Sequence, residues 1–425
     1  MLLKGGAKYN LSGIQMIQVA NLADSLAAIK QLVYDDKMIS QHDLLNALTK
    51  TGHNIYIICP TPTRGIDDTV RKEYKHRYKE TLYKGHVHVR RFNAPKEGKN
   101  PIIRMFRYLW CNLQTYRYGI KYKNIDVIFA NSTPPTQGLL GALVKKRLSK
   151  KKNIPFVYCL QDIFPDSLVN AKMTSKGSWI WKLGRKIENY TYKNADEIIT
   201  ISDAFKQNII KKGADKNKVH VVPNWIDTCE VFPVSRNDNP IFDRYKLDRN
   251  KFYICYSGNI GHSQNMNLLL DVAKQIKDEE IRFVVIGDGA AKVEVEKRIE
   301  AEKITNVVML PFQPYEEIAN VFSVGDAGLI ISKPGIGGSS VPSKTWSIMA
   351  AEKPILASFD QDSELAALIK KVGCGIVCPA GEKNSLIKAI LKLKSENNTN
   401  MGIRGRHYVT NEISKKKCVD KYLKY

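Results

Sequence analysis

A chain of 425 residues, 43% hydrophobic and 25% charged, has the composition of a folded α/β protein of two or three domains, which excludes large-scale disorder. Its longest apolar runs, such as Phe283-Val284-Val285-Ile286, are strand-sized, and residues 1–20 lack the basic start and apolar block of a signal peptide, so neither a bilayer-spanning helix nor a leader is expected. The formal net charge of +24 is lopsided: residues 1–225 hold 38 Lys and Arg against 17 Asp and Glu, a net of +21, whereas residues 226–425 hold 28 against 25, a net of +3. Such a basic half attracts nucleic acid, anionic lipid or phosphorylated ligands. No helix-turn-helix, zinc-finger or aromatic ribonucleoprotein motif is visible, so nucleic acid is not an expected partner.

In chain order, hydrophobic patterning predicts a strand at residues 16–20, an apolar-striped helix at 41–50, strands at 54–59 and 87–92, and a helix at 102–122. A strand at 127–130, a helix at 138–148, a strand at 156–160, a helix at 179–192, a strand at 197–201, a helix at 203–212 and a strand at 219–222 follow. After a hinge at Pro223-Asn224-Trp225-Ile226-Asp227 and an irregular polar stretch to Pro240, the scheme repeats. Strands begin at Tyr253 and at residues 282, 307, 327 and 355, alternating with helices at 267–276, 291–302, 315–322 and 344–351. Short alternation of this kind implies two α/β, doubly wound, Rossmann-like domains, residues 1–224 and 225–405, with a basic C-terminal helix within 406–425 expected to pack back on the first. Ligands in such sheets bind outside the carboxyl ends of the strands, so a site collecting loops from both domains is expected.

Residues 253–357 carry a loop suited to phosphate at each end. Ser257-Gly258-Asn259-Ile260-Gly261 breaks a buried strand and opens a helix, and Gly335-Ile336-Gly337-Gly338-Ser339-Ser340-Val341-Pro342-Ser343-Lys344 runs into another. Helix N-termini offer unpaired N–H groups and the positive dipole end to a phosphate. Gly258 and Asn259 are candidates to donate backbone N–H groups, and Lys344 to supply a cation. A glycine turn alone serves equally well as a ligand-free strand-to-helix connection, and a helix-start lysine as a solvated side chain. Two such loops, one ending in Ser-Lys, favour a nucleotide diphosphate. Of the eight cysteines only Cys374 and Cys378 are close in sequence, and no histidine flanks them, so neither a metal nor a redox site is expected.

Val221-Val222-Pro223-Asn224-Trp225-Ile226-Asp227, Tyr256-Ser257-Gly258-Asn259, Ile286-Gly287-Asp288-Gly289, Pro342-Ser343-Lys344 and Met349-Ala350-Ala351-Glu352-Lys353-Pro354-Ile355, in this order and spacing, resemble the retaining glycosyltransferases of family 4. Gln161-Asp162-Ile163-Phe164-Pro165-Asp166-Ser167 resembles a segment of the branch that builds bacterial capsule, exopolysaccharide and O-antigen. The resemblance implies a GT-B fold, two Rossmann-like domains facing each other across a cleft. It implies retaining transfer from a nucleotide sugar, usually UDP-linked, to a saccharide or polyprenyl-pyrophosphate-linked acceptor held by the N-terminal domain. No cofactor or bound metal is required, and transfer on the front face, assisted by the leaving phosphate, needs no enzymatic nucleophile. In this frame Gln264 and Lys344 meet the donor diphosphate, and Gly287 and Phe312 lie in the segments that line the base pocket. Phe312 suits core packing equally well. Asp162 is the catalytic or acceptor-orienting carboxylate, its alternative being a turn cap ahead of Pro165. Second-rank candidates are His53, His262, Asn131 and Ser132.

Departures from the family pattern sharpen the expectations. Relatives carry two Glu eight residues apart for donor sugar and ribose, and those positions are Ser339 and Ser347 here; serine cannot form a bidentate, charge-assisted pair. A non-catalytic, nucleotide-sugar-binding scaffold subunit of an assembly complex is therefore the alternative to an enzyme. The Gly-Gly loop usual after the first strand is replaced by Asn21-Leu22-Ala23-Asp24-Ser25, with Gly5-Gly6 upstream, which reads as an extension over residues 1–15. The basic half has its own use. Arg104, Arg107, Arg117 and Lys121 alternate with Phe106, Trp110 and Tyr116, and Trp179 and Trp181 stand among Lys176, Lys182 and Arg185. Such mixtures suit either a helix lying on an anionic membrane surface or an ordinary amphipathic helix. The expected location is peripheral, on the cytoplasmic face of the cell membrane.

Overall fold

The computed structural model describes residues 13–17, 45, 48–50, 52–61, 72, 74–95, 101–150, 152–170, 174–335, 341–396 and 399–424. They divide into two compact units, Met1–Pro223 with Cys418–Tyr425, and Asn224–Lys417.

The first unit runs β1 (Gly13–Ile17), β2 (Asn54–Pro60), β3 (Lys79–Leu82), β4 (Val87–Phe92), α1 (Pro101–Gly119), β5 (Val127–Asn131), α2 (Gln137–Leu148) and β6 (Phe156–Leu160). It continues through α3 (Asp166–Asn170), α4 (Trp179–Asn194), β7 (Glu197–Thr200), α5 (Asp203–Lys211) and β8 (Val219–Val221). The eight strands order as β3-β4-β2-β1-β5-β6-β7-β8, parallel except for β3, which runs antiparallel to β4. Every residue of β5, β6 and β7 is buried, as a parallel strand covered on both faces requires. β1 begins before Met16, within the stretch read as an extension, and pairs with β2 and β5. β3, Lys-Glu-Thr-Leu, alternates exposed and half-buried residues; a short, charged edge strand carries little apolar signal.

The second unit runs α6 (Pro240–Arg244), β9 (Phe252–Ser257), α7 (Met266–Gln275), β10 (Ile281–Ile286), α8 (Lys292–Ala301), β11 (Val307–Leu310), α9 (Ile318–Ser323) and β12 (Ala327–Ile331). α10 (Lys344–Ala350), β13 (Ile355–Phe359), α11 (Glu364–Val372), β14 (Gly375–Pro379), α12 (Lys383–Ser395), α13 (Thr399–Asn411) and α14 (Lys415–Tyr422) complete it, with α14 crossing into the first unit at Cys418. Its sheet, β11-β10-β9-β12-β13-β14, is parallel throughout. The order reverses between β9 and β12, the switch point at which doubly wound sheets place their ligands.

Two segments differ from expectation. The stretch from the hinge to Pro240, read as irregular, is anchored: Trp225 and Val231 are buried, as are Ile241 and Phe242 just beyond it, and Arg236 Nη2 donates to both carboxylate oxygens of Asp326, each at 2.6 Å. Asp326 also accepts from the Tyr253 N–H at 2.8 Å, and the Arg236 guanidinium lies 5.4 Å from the Phe242 ring. The C-terminal segment is two helices. Arg406 of α13 donates to the carbonyls of Thr228 at 3.0 Å, Val231 at 2.8 Å and Ala350 at 2.5 Å, tying that helix to its own unit. Only from Cys418 does the chain join the first unit, where the buried Tyr422 hydroxyl and the Cys159 thiol share a hydrogen bond at 3.3 Å.

Asp326→Asn is expected to destabilise the second unit by about 2 kcal/mol, because it removes a charge-assisted pair and leaves the Arg236 guanidinium without its carboxylate. Urea unfolding at constant slope measures this. A change below about 0.5 kcal/mol would make the pair an ordinary surface one.

Candidate active site

At the switch point, β9 ends in Ser257 and the chain turns at Gly258, whose φ of +131° lies where side chains are disfavoured. The loop after β10 presses on this turn: a Cβ on Gly287 would stand 2.0 Å from the Gly258 carbonyl oxygen. The turn is stitched to its neighbours. Gly258 N–H donates to Ile286 O at 2.9 Å, Ile260 N–H to Asp288 O at 2.7 Å, Ala291 N–H to Ile260 O at 2.9 Å and Lys333 N–H to Ser263 O at 3.0 Å. One expectation changes as a result. The Gly258 N–H, expected to face a phosphate, is spent on Ile286. The Gln264 side chain closes the turn, its Oε1 accepting from Gly261 N–H at 3.1 Å and Ser263 Oγ–H at 3.2 Å. Asn265 accepts from Leu268 N–H at 3.4 Å, so the first turn of α7 is capped from within the chain.

Lys344 opens α10, whose remaining residues are all buried. Its ammonium sits 3.8 Å from the centroid of the Tyr256 ring, and a Cβ on Gly258 would meet it at 3.1 Å. Tyr256 is fully buried and donates its hydroxyl to the Asn259 carbonyl at 2.6 Å. One ring thus fixes both the turn and the cation, and the glycine leaves room for the ammonium. Ser347 is buried in the middle of α10, and Ser339 and Ser340 lie outside the described residues. Three buried hydroxyls here were not anticipated from the sequence: Ser257 Oγ, Ser332 Oγ and Thr345 Oγ1 have no hydrogen-bond partner among the described residues. Orphaned buried polar groups call for a water or a ligand, and their positions beside a strand end, a strand end and a helix start were legible. On the far side of the sheet order, Gln313 is buried and donates to Pro311 O at 2.6 Å and Tyr245 OH at 2.8 Å. This fixes a loop on which Phe312 is exposed, not packed in the core.

In the first unit, Asp162 follows β6. Its N–H and that of Gln161 both donate to Ser132 Oγ, at 2.9 and 3.0 Å, and Ser132 is buried at the end of β5. The following Phe164-Pro165 lies directly on α4, where a Cβ on Gly184 would come within 2.8 Å of Pro165. Asp166, not Asp162, holds the turn by its side chain: its carboxylate accepts from Lys212 Nζ at 2.5 Å and Asn208 Nδ2 at 3.4 Å. Lys212 also stands 3.6 Å from Glu188, which accepts from Arg185 and Tyr192 and whose carboxyl is pushed up by burial. The part-exposed Asp162 is thus carried on a segment clamped at both ends.

The remaining candidates are placed as follows. His53 is buried and His262 exposed. Cys374 and Cys378 are buried thiols, pushed up to about 12 and about 11 by desolvation, so both are neutral, and Cys378 donates to Ala357 O at 3.3 Å. Among the described residues no three His, Cys, Asp or Glu side chains are grouped closely enough to hold a metal ion. Of the aromatic–basic residues, Trp110, Arg117, Lys121 and Trp179 are exposed, while Arg107 and Trp181 are half-buried; the Arg104 side chain lies outside the described residues. Among the described residues no helix is long and apolar enough to cross a membrane.

Both units have relatives among known proteins. The family model described as Glycosyltransferase Family 4 matches residues 40–230, and that described as Glycosyl transferases group 1 matches residues 237–408. A probable glycosyltransferase of Pseudomonas aeruginosa, WbjE, is 27% identical over 70% of this chain and 74% of its own. WcaI of Escherichia coli K12, a putative colanic acid biosynthesis glycosyl transferase, is 27% identical over 54% of this chain and 58% of its own. Among solved structures, Anabaena HepE in complex with UDP superposes with a TM-score of 0.69 at 14% identity, covering 97% of this chain and 98% of that one. With two Rossmann-like parallel sheets matched by two glycosyltransferase family models in sequence order, the chain is a glycosyltransferase of the GT-B fold.

Proposed function

We propose that the chain transfers a sugar from a UDP-linked donor, with retention at the anomeric carbon, to a saccharide or polyprenyl-pyrophosphate-linked acceptor during synthesis of a bacterial cell-surface polysaccharide such as capsule, exopolysaccharide or O-antigen. One observation carries the donor reading: a lysine ammonium fixed over a buried tyrosine ring, against a glycine turn, at the strand-order switch point of the second unit. Positive charge held there meets the diphosphate as its charge grows. The anomeric C–O bond breaks toward the diphosphate oxygen, which keeps the electron pair. The acceptor oxygen bonds the same face of the anomeric carbon, and its proton passes to the leaving phosphate. Lys344 binds that phosphate, and Asp162 orients the acceptor hydroxyl by accepting its hydrogen bond. The orphaned Ser257 and Thr345 hydroxyls are donors for phosphate or ribose, and Phe312 faces the base. No bound metal enters this scheme. The UDP complex of HepE and the colanic acid role in the name of WcaI support the donor and product classes. The work is placed at the cytoplasmic face of the cell membrane, where lipid-linked acceptors are found.

Lys344→Ala is expected to weaken UDP binding by at least about tenfold with an unchanged melting temperature, as loss of one charge-assisted contact implies. Asp162→Asn is expected to keep UDP affinity while transfer falls by roughly 10²-fold or more, the scale of a lost acid–base or orienting group. Calorimetric titration with UDP and a donor-consumption assay separate the two. UDP binding without turnover of any donor would favour the scaffold-subunit reading, and undiminished UDP binding by Lys344→Ala would remove the phosphate assignment.

Tyr256 separates the two halves of the donor site. Tyr256→Phe loses the bond to the Asn259 carbonyl while keeping the ring and is expected to weaken UDP binding about 5-fold; Tyr256→Leu also removes the ring beneath Lys344 and is expected to cost about a further 5-fold. Equal affinities for the two variants would show that the ring does not hold the cation.

A further inference from the structure

The first unit exposes an unusual amount of large apolar surface. Along α1, Ile103, Phe106, Trp110 and Leu113 recur at spacings of three and four, one line down a helix, with Leu109 beside them. All five are exposed, Phe106 to 64% and Leu109 to 57%. The first turn of α4 adds Trp179 at 74%, with Ile180 and Leu183 also exposed. The Trp110 ring is pinned by its Nε1–H, which donates to the Asn93 carbonyl at 2.8 Å. α2 packs against both α1 and α4, so the three helices are neighbours.

Charge on these helices selects the occupant. Together α1, α2 and α4 carry ten Lys and Arg and a single acid, Glu188, which is buried and already paired. Arg117, Lys146, Arg147, Lys182, Lys186 and Lys193 are exposed. Exposed apolar side chains framed by cations match a surface that is anionic at its headgroups and apolar just beneath. A second copy of this chain would bring cation against cation across a self-complementary interface.

We infer that this face docks on an anionic bilayer by inserting the α1 stripe and the start of α4 below the headgroups, with the cations as its rim. The inference rests on the membrane location proposed above and adds its mode. Attachment by insertion outlasts screening of the charges, whereas purely ionic attachment does not.

The test uses the full chain and vesicles of phosphatidylglycerol and phosphatidylcholine, read by co-sedimentation. The parent should bind at low salt and retain measurable binding in about 0.5 M NaCl, where the Debye length falls to a few ångströms. Phe106→Ser/Leu109→Ser/Leu113→Ser should cut partitioning by about 100-fold or more, and Arg117→Gln/Lys121→Gln should weaken it only at low salt. These residues are solvent-exposed, so the melting temperature and UDP affinity of each variant serve as fold controls. Binding that the triple apolar change leaves intact, or that vanishes at high salt, would overturn insertion while keeping the membrane location. No binding to anionic vesicles at any salt would overturn both. A dimer in sedimentation velocity that the triple change dissociates would reassign the face to a contact between copies.

Discussion

The contact of the Lys344 ammonium with the Tyr256 ring is the constraint on which the rest of the second unit's site depends. A charged amine beside a buried ring is stable only if its position is defined and its remaining faces meet polar groups or solvent. The parallel sheet supplies the ring at the buried end of β9, α10 supplies the amine at its first residue, and Gly258 supplies the space between them. The tyrosine hydroxyl extends the same constraint to the Asn259 carbonyl, so that turn and cation form one rigid element. A site for a leaving group works by having its charge in place before the bond breaks, and rigidity of this kind is what preorganisation requires.

In the first unit the comparable economy is in the main chain. A single buried hydroxyl, that of Ser132, gathers two consecutive amides at the end of β6. The side chains that follow are anchored through Asp166 and Lys212. Asp162 therefore gains a defined place through its main chain. The polar network behind it, Glu188 with Arg185, Tyr192 and Lys212, places charge on the inner side of α4, leaving the outer side to apolar residues and exposed cations.

Much of this was legible in the sequence because its signals are local. Continuous apolar runs such as Phe156–Leu160 and Phe283-Val284-Val285-Ile286 announce strands buried on both faces, and Gly258, Gly287 and Lys344 stand in motifs whose geometry is set by glycine and charge. What was not legible depends on partners distant in sequence. The charged edge strand at Lys79–Leu82 exists because β4 offers it a ladder, and the segment around Arg236 is ordered by Asp326, ninety residues on. The hydrogen-bond role of the Gly258 amide follows from the end of β10 at Ile286, which spacing alone does not reveal. Helix α11 was overlooked although its ends are well marked, by Ser363 capping the Ala366 N–H and by Gly373 in the left-handed region. Whether the aromatics of α1 were core or surface was open until burial decided it.

The most direct measurement of the central claim is a crystal structure of the protein with UDP bound. The β-phosphate is expected within about 3 Å of Lys344 Nζ, beside the Gly258 turn, with the Tyr256 ring still beneath the ammonium. A diphosphate bound away from Lys344, or a lysine that leaves the ring to solvent while the nucleotide is held elsewhere, would contradict it.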